Sequence, residues 1–156
     1  MEEGKVIFRG TFSHSIDEKG RVNVPAPFRL ALEQLSENTL ILTNFITEGS
    51  RCLEAYTTAE WQRFEDKLRK KSRFDEKVRA LEHYYFSRAA NCQLDSSGRI
   101  NIPQNLRIYA GIEKEVVFSA SFQGFRIWDK RVADLVFQQA ETQLLENPNL
   151  FRDVDV

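Results

Sequence analysis

The sequence predicts an α+β fold in which one structural unit occurs twice in tandem. The segment at residues 17–25 recurs at residues 95–103 without a gap, with Asp, Gly, Arg, Asn and Pro at the same places. Aliphatic residues exchange for one another between these identities. Stretches with apolar residues at helical spacing follow the copies, at residues 57–86 and 129–146. We therefore expect strands and turns within each unit and longer helices after it.

Each copy opens with a turn of the pattern Asp-x-x-Gly-Arg. The aspartates, Asp17 and Asp95, can accept hydrogen bonds from amides of their own turn. The glycines, Gly20 and Gly98, can adopt a positive φ angle without a steric penalty. We expect a positive φ at both glycines, and we expect Gly20→Val to lower stability through turn strain.

A β-hairpin is predicted around each turn. In the first copy, residues 13–17 are a strand candidate ahead of the turn, and Arg21-Val22-Asn23-Val24 alternates with the two-residue period of a strand. The two valines then face one side, and Arg21 and Asn23 face the other. One hairpin with a single apolar stripe is not stable alone in water, whereas two hairpins can bury their stripes against each other.

Prolines and capping residues mark the remaining elements. Proline ends each hairpin at Pro25 and Pro103, because it cannot continue the ladder. The predicted elements are helices at residues 28–35 and 103–110, strands at 39–44, 52–56, 115–120 and 125–128, and longer helices opened by Thr57, by Ser72-x-x-Asp75 and by Asp129. The last helix should end before Pro148, and residues 151–156 should form a loose acidic tail.

The composition is that of an ordinary globular protein, since the 156 residues are 42% hydrophobic and 29% charged. A length of about 150 residues corresponds to about one domain and supports a core without a disulfide or structural metal. The formal net charge is −1, so the chain lacks the overall positive charge that would indicate a nucleic-acid partner. We expect no membrane span and no secretory signal, and the lone Cys52 and Cys92 fit the reducing cytoplasm.

The doubled motif also supplies candidate binding residues. Asp17 and Asp95 stand four residues before Arg21 and Arg99, so each pair can form an ion pair across its turn. We interpret the aspartates as structural, while the arginines fit either an ion pair or a contact with DNA. Arginine presents a planar fork of donors that matches phosphates and guanine edges, and a two-stranded ribbon can enter the major groove. Lys19 would add attraction at the first turn.

Two equivalent aspartates in a tandem repeat also raise the alternative of an aspartic protease dyad. The sequence Asp-Ser/Thr-Gly that such a site needs is absent from both copies. An arginine four residues on would also hold each carboxylate ionised. Because no metal-ligand spacing, phosphate-binding loop or nucleophile motif is present, we expect no enzyme activity, no cofactor or metal, and no small-molecule substrate.

Taken together, Phe8-Arg9-Gly10, the two Asp-x-x-Gly-Arg turns and Ile127-Trp128-Asp129 resemble the motifs of the MraZ family of transcriptional regulators, over roughly residues 8–146. The resemblance implies two AbrB-like units, residues 1–91 and 92–156, whose hairpins interlock into a swapped-hairpin β-barrel with flanking helices. It also implies homo-oligomeric rings that bind direct repeats in double-stranded promoter DNA of the bacterial division and cell-wall gene cluster.

We therefore expect a non-enzymatic, sequence-specific DNA-binding regulator in the cytoplasm, associated with the nucleoid. The expected DNA contacts are Arg21, Lys19 and Arg9 of the first copy. The first hairpin is favoured because Lys19 has only Ser97 as its counterpart in the second copy, and phosphate attraction grows with the number of cations at the contact.

The second copy has an expected role that is left open between structure and DNA contact. Asp95 and Arg99 would complete the barrel or a subunit contact, or would touch DNA themselves. The helices within residues 57–90 and 130–146 are the candidate subunit surfaces. The alternative function is an oligomeric scaffold or protein-interaction module whose hairpins bind a protein partner.

Overall fold

The computed structural model describes residues 5–156. Its strands are β1 (Thr11–Ser15), β2 (Arg21–Asn23), β3 (Thr39–Thr47), β4 (Ser50–Thr57), β5 (Ala90–Gln93), β6 (Arg99–Asn101), β7 (Glu115–Ala120) and β8 (Phe125–Asp129). Its helices are α1 (Ala26–Gln34), α2 (Thr58–Arg69), α3 (Glu76–Leu81), α4 (Gln104–Ala110), α5 (Lys130–Glu146) and α6 (Leu150–Asp153), and a π-helical turn, Glu82–Phe86, continues α3. The α+β class predicted from the sequence is confirmed.

The strands of the two repeats are interleaved in both sheets. The larger sheet has six strands in the order β1-β7-β8-β4-β3-β5, and β2 pairs with β6 in a separate two-stranded ladder. Each of the strands β1 to β4 therefore lies beside a strand of the second repeat, in the antiparallel pairs β1–β7, β2–β6, β3–β5 and β4–β8. This exchange gives the described chain an approximate twofold symmetry.

The predicted swapped-hairpin β-barrel is not confirmed. Within residues 5–156 the six-stranded sheet ends at β1 on one side and at β5 on the other, and no closed barrel is found. The physical reason is that β2 and β6 pair only with each other, so they do not join the two edges of the larger sheet.

The prediction that β1 and β2 pair with each other as a hairpin is wrong. The two strands are joined by the expected turn, in which the Asp17 amide donates to the Arg21 carbonyl at 3.0 Å and the Gly20 amide donates to the Asp17 carbonyl at 3.0 Å. Beyond that turn, β1 pairs with β7 and β2 pairs with β6. The cross-repeat ladder places Val22 directly opposite Ile100, and both side chains are buried.

A single main core is built from both repeats. Phe28 at the start of α1 packs against Phe125 of β8, with ring centroids 4.8 Å apart, and Phe8 lies 5.1 Å from both rings. The apolar stripes of β2 and β6 face this core, as the alternation predicts, since the buried cluster includes Val22, Val24, Ile100 and Ile102. Because residues of both repeats make up this core, neither repeat has a complete core of its own.

Capping residues begin the longer helices. The Thr57 hydroxyl accepts from the Glu60 amide at 3.2 Å, and Asp129 accepts from the Arg131 amide at 3.1 Å, as predicted. The helix predicted from Ser72-x-x-Asp75 is α3, and its N-cap is Asp75 rather than Ser72, because the Asp75 carboxylate accepts from the Lys77 amide at 2.8 Å.

The chain beyond Pro148 differs from the predicted loose tail, because residues Leu150–Asp153 form the short helix α6. The preceding helix, α5, packs only its first turns on the sheet, through Val132, Ala133 and Val136. None of the α5 residues is buried. No described helix combines the length and the apolar character that crossing a bilayer requires.

Candidate nucleic-acid interface

The Asp17 carboxylate organises the first Asp-x-x-Gly-Arg turn. One of its oxygens accepts hydrogen bonds from the Lys19 and Arg21 amides, both at 2.9 Å. The other oxygen accepts from Nε of Arg21 at 2.7 Å. The carboxylate thus fixes the backbone of the turn and the direction of the Arg21 side chain together.

The second turn repeats this arrangement around Asp95. Its carboxylate accepts from the Ser97 amide at 2.8 Å, from the Arg99 amide at 3.0 Å and from Nε of Arg99 at 3.0 Å. In both turns the hydrogen bond from the arginine amide is the largest influence that holds the pKa of the aspartate below its usual value. Each aspartate therefore stays ionised and paired at neutral pH.

The arginines keep their terminal amino groups available. Only Nε of Arg21 and of Arg99 donates to the aspartate of its turn, and both side chains are partly exposed. Within residues 5–156, the terminal amino groups of these two arginines donate no hydrogen bond. Each guanidinium is therefore held in place by one edge while its other donors face solvent.

The β2–β6 ladder brings both arginines to one surface. In its antiparallel register Arg21 lies opposite Asn101 and Asn23 lies opposite Arg99. The central pair, Val22 and Ile100, points into the core, so the four polar residues share the outward face. Directly opposite residues have Cβ atoms about 4.5–5.5 Å apart. We call these four residues, Arg21, Asn23, Arg99 and Asn101, the ribbon face.

Of the other residues singled out in the sequence, Lys19 lies at the ribbon and Arg9 does not. Lys19 is exposed in the first turn, next to Arg21. Arg9 is exposed ahead of β1, so the whole of that strand separates it from the turn. It lines a pocket together with Gln34 and Leu35, at the end of α1 remote from the ribbon.

Two further arginines, which lie outside the Asp-x-x-Gly-Arg motif and were not among the predicted site residues, support the turns. Arg107 of α4 donates from Nε to the Ile102 carbonyl at 2.9 Å and from Nη1 to the Glu18 carbonyl at 3.4 Å, so it holds the first turn from the second repeat. Arg29 of α1, at the equivalent position, packs against Gly98 of the second turn. Their equivalent positions in the two repeats were the signal that could have revealed them.

The glycines of the two turns have the predicted conformation. Gly20 has a φ angle of +88° and Gly98 has one of +78°. Both also lie directly against the arginine from the other repeat. The turns therefore need glycine for two reasons, which are the left-handed backbone and the close approach of a side chain.

A family comparison follows the same two-part organisation. The family model described as "MraZ protein, putative antitoxin-like" matches residues 7–83 and residues 85–149. These two segments correspond to the two repeats and together cover most of the chain. The chain belongs to the MraZ family.

Its MraZ relatives match over most of their length. A protein named "Transcriptional regulator MraZ" from Acetivibrio thermocellus is 44% identical over 125 residues, which cover 80% of this chain and 82% of that protein. Another of that name, from Natranaerobius thermophilus, is 36% identical over 152 residues, or 96% of this chain and 100% of that protein. A third, from Proteus mirabilis, is 34% identical over 139 residues, or 89% of this chain and 88% of that protein.

Other reactive groups of this MraZ chain are buried in structural roles. Burial raises the pKa of the Cys52 thiol to about 12 and that of Cys92 to about 11, so neither is a ready nucleophile. The buried Glu54 carboxylate accepts hydrogen bonds from the Tyr56 and Tyr85 hydroxyls and from Nε of Arg126 at 3.3 Å. Within residues 5–156 no cluster of His, Cys, Asp and Glu has the arrangement of a metal site.

Proposed function

We propose that this MraZ family member is a transcriptional regulator that binds double-stranded DNA sequence-specifically, with the β2–β6 ladder in the major groove. The observation that carries the proposal is the ribbon face, on which Arg21 and Arg99 lie at diagonal positions of one ladder. The names of the relatives support a regulatory role. By the resemblance described above, the DNA would be direct repeats in the promoter of the division and cell-wall gene cluster, at the nucleoid.

The dimensions and charges of the ladder suit this partner. The major groove is about 12 Å wide and admits a two-stranded ribbon. An arginine that presents two terminal donors can bind the O6 and N7 atoms of guanine together. The cations around the ladder, from both repeats, are Lys19, Arg21, Arg29, Arg99 and Arg107. The carboxylates of the two turns are Asp17, Glu18 and Asp95, so five cations outnumber three carboxylates there, and a chain with a net charge of −1 has a local excess of positive charge where DNA would lie.

Replacement of Arg21 should weaken specific binding. Arg21→Ala should cost about 1–3 kcal/mol of binding free energy at each engaged site, because it removes a bidentate base contact. The measurement is fluorescence anisotropy with a duplex from the region upstream of the gene, against a scrambled duplex at matched salt. A matched control is Arg152→Ala, which removes an exposed arginine in α6. Equal affinity of Arg21→Ala and wild type for the upstream duplex would contradict the proposal.

The same assay separates the two turns. Lys19→Ala should weaken all duplexes about equally and flatten the dependence on salt, because lysine contacts phosphates. If the first turn is the principal DNA contact, Arg99→Ala should lower the melting temperature or the assembly state more than the affinity. Loss of binding by a folded Arg99→Ala variant, with Arg21→Ala unaffected, would reverse this assignment.

The proposal includes assembly into a homo-oligomer, a ring in the arrangement the resemblance implies. One short ribbon makes few contacts, and linking several ribbons on repeated sites raises the effective concentration of each. Three exposed apolar residues of α5, Phe137, Leu144 and Leu145, fall within about 100° of one another around the helix and form a surface that a second subunit can cover, whereas the exposed Leu135 lies on the side opposite Leu144.

The assembly state should depend on this helix. Light scattering at micromolar concentration should find species larger than a monomer, and Leu145→Asp should shift them toward the monomer because it places a charge in the contact. Gln139→Asp, on the same helix at a polar position, is the matched control. Only monomers in the wild-type sample, with full DNA affinity, would contradict the assembly proposal.

A protein-interaction scaffold is the second candidate function. The exposed aromatic residues Phe74 and Phe86 beside α3 favour it, because large exposed apolar side chains often mark protein contacts. The anisotropy assay decides between the two candidates. A scaffold would bind the upstream and scrambled duplexes equally weakly, whereas a regulator prefers the upstream duplex at every salt concentration.

A further inference from the structure

We propose that Asn23 and Asn101 read base edges and share the determination of DNA specificity with the two arginines. This inference rests on the proposed DNA binding of the ribbon. Both asparagines are exposed, at equivalent positions of the two repeats and on the outward face of the ladder. No hydrogen bond within residues 5–156 engages either side-chain amide, so each keeps its donor and its acceptor for a ligand.

Strand structure does not explain these two amides. Asparagine is depleted in β-strands, where β-branched and aromatic residues fit the pleated surface better. β2 and β6 are only three residues long, so an unfavourable residue in each weakens a ladder that has few hydrogen bonds. Asparagines that occupy strands at two equivalent exposed positions, without a hydrogen-bond partner among residues 5–156, are typical of a binding surface.

The spacing of the ribbon face matches that of stacked bases. Residues two apart along a strand, such as Arg21 and Asn23, are about 7 Å apart, which is about two steps of 3.4 Å along a DNA strand. Residues opposite each other, such as Arg21 and Asn101, are about 5 Å apart. The four side chains therefore span about three consecutive base pairs.

The chemistry of the two residue types is complementary. Arginine pairs with the O6 and N7 atoms of guanine, whereas the asparagine amide pairs with the N6 and N7 atoms of adenine. Asp17 draws the Arg21 guanidinium toward the turn, so the long side chain does not stand over its short neighbours at the centre of the ladder. Each opposite pair, Arg21 with Asn101 and Arg99 with Asn23, can then contact a guanine and an adjacent adenine.

The test is selection from a pool of short random-sequence duplexes, followed by sequencing of the bound DNA and by anisotropy on the selected duplex. Asn23→Ala and Asn101→Ala should each lose sequence preference at one or two neighbouring base pairs and keep it elsewhere. Affinity for the wild-type duplex should fall about 5- to 140-fold, which is 1–3 kcal/mol at 1.4 kcal/mol for each factor of ten. Affinity for random DNA and the salt dependence should stay unchanged.

Two further variants separate base reading from an effect on folding. Asn91→Ala removes an exposed strand asparagine of β5, on the larger sheet, and should select the wild-type sequence. Asn101→Asp keeps the size of the side chain but replaces the amide donor, so it should disfavour adenine and accept a hydrogen bond from cytosine N4. A changed preference in a folded Asn101→Asp variant supports base reading.

The outcomes of the test are distinguishable. If the wild-type protein enriches no sequence, the proposed function fails and this inference fails with it. If the wild-type protein enriches a sequence and the alanine and aspartate variants enrich the same one, the regulator proposal stands. In that case the asparagines do not read bases, and the inference alone is overturned.

Discussion

Residues 1–91, produced without residues 92–156, should not fold into a stable monomer. In the intact chain β1 pairs with β7 and β2 pairs with β6, so the fragment loses the partner of both strands. It also loses Phe125, whose ring packs against Phe8 and Phe28. Small domains have about 5–15 kcal/mol of total stability, and removal of half of the core exceeds this margin.

Circular dichroism and amide NMR spectra of the fragment measure this result. The fragment should lack a cooperative melting transition and dispersed amide signals, while refolding with residues 92–156 should restore both through the exchanged strand pairs. The intact chain under the same conditions is the control. A monomeric fragment with a cooperative transition would mean that one repeat folds independently and that the exchanged pairs are not required for folding.

The exchange also marks the limit of what the sequence could predict. The turn and the alternation around Val22 are local patterns, and they correctly predicted the turn and the buried side of β2. Alternation states which side of a strand is buried but not which strand lies beside it. The pairing of Val22 with Ile100 joins residues far apart in the chain, and the local pattern fits a hairpin equally well.

The candidate site likewise contains residues that a local motif predicts and residues that only the three-dimensional structure reveals. Arg21 and Lys19 lie at the turn, where the motif placed them, because a five-residue motif fixes its own geometry. Arg9 lies outside the motif and ahead of β1, so the length of that strand separates it from the turn, and no local pattern indicates this distance. Arg29 and Arg107 looked like ordinary helix residues, because only the three-dimensional structure places them against the glycines of the opposite repeat.

Gly20→Ala should lower the free energy of unfolding by about 3 kcal/mol or more, although it adds a single methyl group. A left-handed backbone at φ +88° costs an L-residue about 1–2 kcal/mol. The added Cβ would also lie 2.7 Å from the Ile102 carbonyl oxygen and 2.6 Å from Nε of Arg107. The carbonyl belongs to the backbone and cannot rotate away, so the turn must move off the β2–β6 ladder.

Gly49→Ala is the matched control for this substitution, because Gly49 also has a positive φ of +68° but has no atom within 4 Å of an added Cβ. It should cost only the backbone term of about 1–2 kcal/mol. Chemical denaturation of the three proteins measures the difference. The excess loss in Gly20→Ala reports the close approach between the repeats, and DNA affinity should fall with it because Arg21 follows Gly20 directly. Equal losses in the two variants would mean that Arg107 and the Ile102 carbonyl yield freely, and that the first turn is not held by the second repeat.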